Sequence, residues 1–282
     1  MKIHTSLRLL PLLFLPALAM AQQSFHTPEE AANAFALAVA QQNEAGLSQL
    51  LGNDWRDVLP PEGVDPQAVA RFNRDWKVSH HIVQDGDVAH LNVGSASWQL
   101  PLPMVKTDTG WRFDMKGAAD EILTRTIGRN EISAMQAMHA YVNSQHGFYQ
   151  LNQQYAQKFI SSEGKKDGLY WPAAPGEVPS PLGPLFSPLQ PGMGYHGYHF
   201  RILTAQGKHA SAGAKNYVQE GKMTGGFALI AWPVEYGETG IATFIVNQED
   251  QVWQTDFGKE TASKAKAMTR FDPDIGWQPE DF

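Results

Sequence analysis

Two nearly unbroken apolar runs, Phe227-Ala228-Leu229-Ile230-Ala231-Trp232-Pro233 and Ile241-Ala242-Thr243-Phe244-Ile245-Val246, flank Glu235-Tyr236-Gly237. Each is strand-length and bounded by Gly or Pro, and neither has a polar side to turn toward water. Together they predict a buried β-hairpin in a sheet covered on both faces. Strands are expected near 196–204, 226–233, 241–247 and 251–255, followed by a short helix near 259–268. Upstream, Ile132, Met135, Met138, Tyr141, Val142, Phe148 and Tyr149 share one face of a long amphipathic helix running from about Ala118 to about Phe159. A long helix followed by an antiparallel meander is an α+β layer arrangement in which the helix covers one sheet face.

The first half reads as a separate α+β unit. Thr27-Pro28-Glu29-Glu30 is a capping box with Pro at the first helical position, so a helix is expected near 28–42. Asn43 caps a second helix that Gly52 stops, and Asp65-Pro66 starts a third carrying Val69, Phe72 and Trp76 on one face. The period then changes to two. Asp85-Gly86 between strand-like runs predicts a hairpin tip, which pairs Val83 with Val88, Ile82 with Ala89 and His81 with His90. A second hairpin joins 98–106 to 111–115, with Trp98, Leu100, Leu102, Met104, Trp111 and Phe113 facing the core. Pro101 and Pro103 lack N–H groups and place its first strand at a sheet edge.

Residues 1–21 read as a cleaved secretory signal: Lys2 and Arg8, an apolar stretch from Leu9 to Ala19, and the small-x-small Ala19-Met20-Ala21. Pro11 and Pro16 interrupt that stretch, which is shorter than the roughly 20 residues of a membrane span. A periplasmic or secreted location follows. The chain has no Cys, which excludes a disulfide framework and lipid attachment through Cys. Without the signal, 261 residues remain, enough for two domains, with boundaries expected at 22–116 and 117–282. The loss of Lys2 and Arg8 leaves 20 basic against 29 acidic side chains, which argues against nucleic acid as a partner.

Seven prolines between 172 and 194 exclude helix interiors and central strands there. Leu182, Leu185, Phe186 and Leu189 offer apolar side chains to tack down an ordered surface loop; a disordered linker is the other reading. Tyr170 and Trp171 precede it, where large rings serve either domain packing or a binding surface.

Four separated motifs, Asp167-Gly168-Leu169-Tyr170-Trp171-Pro172, Pro179-Ser180-Pro181-Leu182-Gly183-Pro184-Leu185, Gly197-Tyr198-His199-Phe200-Arg201-Ile202-Leu203 and the run from Gly225, resemble the bacterial family known as domain of unknown function 2950. The resemblance covers most of the mature chain and brings no catalytic residues with it. More loosely, residues 25–116 resemble the nuclear transport factor 2-like fold, and 117–282 the soluble part of a pilin or pseudopilin. The long helix begins with Arg125, Arg129, Asn130 and Glu131, unlike the apolar anchor helix of a pilin, so a filament subunit is not implied.

His81 and His90 are the sharpest local candidates, because facing cross-strand positions would bring their imidazoles together. Two ligands make no metal site, and a pair on a half-exposed face is the ordinary reading. His139 and His146, seven apart on the long helix, read as packing residues. His209-Ala210-Ser211-Ala212-Gly213 lacks the first Gly of a nucleophile elbow. No cofactor or metal is implied. The reading is an exported, non-catalytic binding or assembly module of the cell envelope, with the Pro-rich loop and its aromatics Tyr170 and Trp171 as the contact surface. The alternative is a small-molecule binder or hydrolase that uses the concave mouth of the first domain, with His81 and His90 as pocket groups.

Overall fold

A computed structural model describes residues 22–59, 63–183 and 194–280. The expected signal segment and the stretch holding Leu185, Phe186 and Leu189 lie outside the described residues. The chain divides into two compact units between Ile122 and Leu123. Buried apolar side chains form two clusters, one from residues 31–113 and one from 134–277.

The first unit opens with α1 (Pro28–Ala40), α2 (Glu44–Leu51) and α3 (Pro66–Val78), with a single 3-10 turn at Trp55–Val58. Each helix starts where the sequence provides a cap. The Thr27 hydroxyl accepts from the Glu30 N–H (3.2 Å), Asn43 accepts from Gly46 (3.0 Å) and Asp65 accepts from Gln67 (2.8 Å). Five strands follow: β1 (His80–Asp85), β2 (Val88–Val93), β3 (Trp98–Gln99), β4 (Met104–Thr107) and β5 (Gly110–Phe113). Their order is β1-β2-β4-β5, with β3 also paired to β2. Phe35 of α1 packs on Phe72 of α3 (5.7 Å between centroids) and on Phe113 of β5 (5.5 Å), so the helices cover the face that carries Ala89, Leu91, Met104 and Phe113.

Two expectations change here. The run expected as one edge strand is split: β4 pairs with both β2 and β5 and is internal, β3 pairs with β2 alone among the described strands, and the prolines fall in the break between them. The outer edge of β5 is instead bridged by Phe25, which exchanges backbone hydrogen bonds with Trp111 (2.8 and 2.7 Å). Trp98 is 48% exposed, whereas Trp111 and Phe113 are buried as expected.

Helix α4 runs from Met115 to Asn152, with Asp114 accepting from the Lys116 N–H (3.2 Å) at its start. The division between the units therefore falls inside this helix, where the boundary was expected near its start. Gly117 lies so close to Pro103 that an added Cβ would sit 3.1 Å from its ring, which ties the first turn of α4 to the first unit. The helix stops short of Phe159 because Gln153 adopts a left-handed φ of +56°, and Tyr155 then pairs with Met223.

In the second unit the main strands are β6 (Tyr198–Leu203), β11 (Ala228–Pro233), β12 (Thr243–Asn247), β13 (Val252–Thr255) and β14 (Gln278–Glu280). They form an antiparallel meander in the order β14-β13-β12-β11-β6. Short pairs join β7 (Ala205–Gln206) to β8 (Lys215–Asn216) and β9 (Val218–Gln219) to β10 (Lys222–Met223). Every position of β11 and β12 is buried, as their apolar runs predict. Ala134, Met135, Met138, Tyr141 and Val142 of α4 join the same cluster as Leu229, Phe244 and Val246; Ile132 is 46% exposed and lies outside it. On the opposite face, Arg201 reaches the carbonyls of Ala265 (2.7 Å) and Met268 (2.6 Å) at the end of α5 (Thr261–Ala267), which follows a 3-10 turn at Gly258–Glu260. Glu131 of α4 accepts from the N–H groups of Ile241 and Ala242 (2.9 and 3.0 Å), and Asn130 donates to the Thr239 carbonyl (2.9 Å). The helix thereby fixes the connection that leads into β12.

Candidate functional site

The β1-β2 hairpin positions the two candidate histidines. Its turn residues are Gly86 and Asp87, with Gly86 at φ +57°, where a type II′ turn places glycine. The expected tip at Asp85-Gly86 is thus displaced by one residue. Asp85 pairs with Val88, Val83 with His90 and His81 with Asn92. This is a register change of two, which keeps every side chain on its expected face but moves His81 and His90 from opposite to diagonal positions.

Both histidines lie on the outer face, opposite the helices, together with Val83, Asp85, Val88 and Asn92. They therefore do not line the helix-covered side of the sheet. Val88 sits across from Val105, and Val105 across from Arg112, which extends the face over four strands. The Asn92 amide oxygen on this face is buried without a hydrogen-bond partner among the described residues. His80 points the other way: its ring stacks on Trp76 at 3.9 Å and 7°, with Nδ1 2.9 Å from the Trp76 carbonyl oxygen.

Tyr170 and Trp171 belong to a structural motif. Gly168 is packed so tightly that a Cβ would meet the Ile160 carbonyl carbon at 2.7 Å, and this approach allows Tyr170 to bond Phe159 and Ser161 through its backbone (2.8 and 2.9 Å). Trp171 is 3% exposed, with its Nε1 donating to the Val178 carbonyl at 3.1 Å. Its ring is core, and Tyr170 is only partly covered. Leu182 is also buried, and Ser144 of α4 donates to the Pro181 carbonyl (3.1 Å), so the described start of the Pro-rich stretch is tacked down.

Asp167 closes this motif. Lys158 (2.8 Å) and the Ser162 N–H (2.8 Å) hold its carboxyl at about 2, well below the ordinary range. A depressed folded-state pKa gives stability that is present above the unfolded value of 3.8 and is lost as pH falls through about 2. Wild type should lose urea resistance across that window more steeply than Asp167→Asn. Parallel melts at about pH 6 and about pH 2 check it, and equal acid sensitivity of the two proteins would contradict it.

A polar constellation that no local spacing announces surrounds the β12-β13 turn. His139 Nδ1 lies 2.8 Å from Asp250 Oδ1, a contact across 111 residues. The Ser211 hydroxyl donates to Glu249, Gln248 accepts from the Phe227 N–H (3.3 Å) and Asn247 accepts from Glu249 (3.1 Å). Asp250 itself has a left-handed φ of +59°. A second pair, His209 and Asp272, lies at 3.1 Å. A carboxylate beside Nδ1 fixes an imidazole tautomer and leaves Nε2 as the acceptor, so either pair has the parts of a general base. These contacts also clamp the turn from three segments. Among the described residues, no group of three or more His, Asp or Glu side chains is arranged to hold a metal ion.

The family described as "Protein of unknown function (DUF2950)" matches residues 22–279. The chain belongs to this family. No curated protein matches it. In this DUF2950 chain the motifs that carry the resemblance are packing motifs: Asp167 to Trp171 builds the link just described, and Gly225-Gly226 lies against Tyr217. No helix among the described residues is long and apolar enough to cross a membrane.

One groove of the DUF2950 chain adjoins α1 and α3. It has a volume of about 530 Å³ and is lined by Asn33, Ala36, Leu37, Ala40, Asn73, Trp76 and Lys77. Its walls are mostly aliphatic and aromatic, and it lies on the side of the unit away from His81 and His90.

Proposed function

We propose that this DUF2950 protein is an exported, non-catalytic binding module of the bacterial envelope, and that it contacts a protein partner through the outer face of its first sheet. The observation that carries this reading is apolar exposure where a solvated sheet face is ordinarily polar: Val83 is 46% and Val88 38% exposed, beside half-buried His90 and Asn92. His81, His90 and Arg112 supply donors around these valines, the mixture of apolar centre and polar rim that suits protein contact. The signal-like leader and the acidic balance of the remaining chain support an exported role away from nucleic acid.

A photo-crosslinking side chain at Val88 should give, in intact cells, an adduct of this chain with a different protein in the periplasmic fraction. The same group at Ile275, which is fully exposed in the second unit, should give none. Val88→Asp should abolish capture when combined with a crosslinker at Val105, while stability changes by no more than about 0.5 kcal/mol. Absence of an adduct from Val88, or equal adducts from Val88 and Ile275, would overturn the reading.

A further inference from the structure

The first sheet ends in a strand that is open along its outer side. β1 is terminal in the strand order, and no other strand among the described residues pairs with it beyond β2. Sheet edges are ordinarily blunted by Pro, by Lys, by a bulge or by cover from another segment. β1 has none of the first three: it reads His80-His81-Ile82-Val83-Gln84-Asp85, pairs with β2 without interruption, and is exposed at every position except Ile82. In a hairpin closed by Asp85 and Val88, the backbone groups of Asp85, Val83 and His81 bond inward to β2. Those of Ile82 and Gln84 therefore point outward, away from the sheet.

We infer that β1 pairs antiparallel with β1 of a second copy of this chain, about a two-fold axis perpendicular to the sheet through Val83. Such an axis keeps the outer face of each copy on the same side, so the paired positions must have the same parity. Centred on Val83, the register sets Val83 against Val83 of the second copy and Ile82 against Gln84, whose outward backbone groups then complete each other. It also sets His81 against Asp85 of the second copy, twice by symmetry. An imidazole N–H faces a carboxylate there, a complementary pair that becomes an ion pair when the histidine is protonated. A register centred on Ile82 would instead put His81 against Val83 and forgo that complementarity. The product is one continuous antiparallel sheet in which the open edge no longer exists. This inference stands independently of the partner proposed for the outer face, because it uses the edge and leaves that face uncovered.

The chain has no Cys, so a single introduced thiol reports the pairing directly. At the two-fold axis Val83 would occupy a non-hydrogen-bonded pair, with Cα atoms about 4.5 Å apart, within disulfide range. Purified Val83→Cys under mild oxidation should form a disulfide-linked dimer, whereas Val88→Cys, on the same face but on β2, should do so at least about tenfold more slowly. Unmodified protein should sediment as a dimer that dissociates on dilution. Gln84→Pro removes an N–H that has only solvent in the single copy and should yield a folded monomer. Val83→Lys, which sets like charges opposite each other, is a second variant should the proline disturb folding, and it should weaken dimerisation at least about tenfold. Sedimentation of the unmodified protein as a monomer throughout, or equal oxidation rates for the two cysteine variants, would overturn the inference.

Discussion

Phe227→Ala is expected to destabilise the second unit by about 3 to 5 kcal/mol, the cost of truncating a wholly buried phenylalanine in a packed core. Phe227 is fully buried just ahead of β11, with ring centroids 5.7 Å from Tyr141, 4.8 Å from Tyr155 and 5.4 Å from His146. It is the wedge that joins α4, the chain after α4 and the start of β11. Gly226 makes that placement feasible. A Cβ on Gly226 would come within 2.8 Å of both the Tyr217 ring and the Gln248 side chain, and Gly226 has φ +139°. A loss of this size is comparable to the whole stability of many domains. Urea denaturation followed by tryptophan fluorescence should show it, and a change below about 1 kcal/mol would mean that the aromatic cluster does not hold the helix to the sheet.

Gln145→Leu should cost a similar amount, about 3 to 5 kcal/mol, although it replaces a polar side chain with an apolar one of similar size. Gln145 is completely buried in α4. Its amide nitrogen donates to the Tyr141 hydroxyl (3.0 Å) and to the Ala156 carbonyl (2.8 Å), while its oxygen accepts from the Ala156 N–H (2.8 Å). It therefore does for residue 156 what a neighbouring strand would do. Leucine would orphan both backbone groups of Ala156, each costing about 1 to 3 kcal/mol, with strain at the turn after Asn152 added. Burial pushes the Tyr141 phenol far above its ordinary range, which leaves it neutral and a steady partner for Gln145. Thermal melts of Gln145→Leu and Gln145→Ala should both be strongly lowered. If the leucine variant is as stable as wild type, the amide is not bridging the two segments.

Local chemistry was legible and long-range pairing was not. Caps and turns at Thr27, Asn43, Gly52 and Asp65 declare themselves within four residues, and the apolar runs of β11 and β12 declare burial on both faces. The first hairpin was legible in its strands but not in its register, because both Asp85-Gly86 and Gly86-Asp87 suit a two-residue turn and only the glycine conformation selects between them. Pro101 and Pro103 suggest one edge strand; the structure breaks the run at them, and only its second part, β4, is internal. Gln153 carries no sequence signal for a left-handed conformation, so the apolar pattern alone extends α4 beyond its actual end at Asn152. Trp171 stands beside a Pro-rich stretch that resembles a recognition loop, yet Gly168 lets its neighbourhood fold inward. The His139–Asp250 and His209–Asp272 pairs join residues 111 and 63 positions apart, and no motif spacing encodes such contacts.

Contact through the outer face of the first sheet, in place of chemistry in a pocket, is the claim on which the functional reading turns. Photo-crosslinking groups placed one at a time at Val88 and Val105, and for comparison at Leu37 and Lys77 in the α1-α3 groove, test it in intact cells. The same heterologous adduct is expected from both valine positions and none from the groove. Adducts arising only from Leu37 and Lys77, or from no position at all, would contradict it.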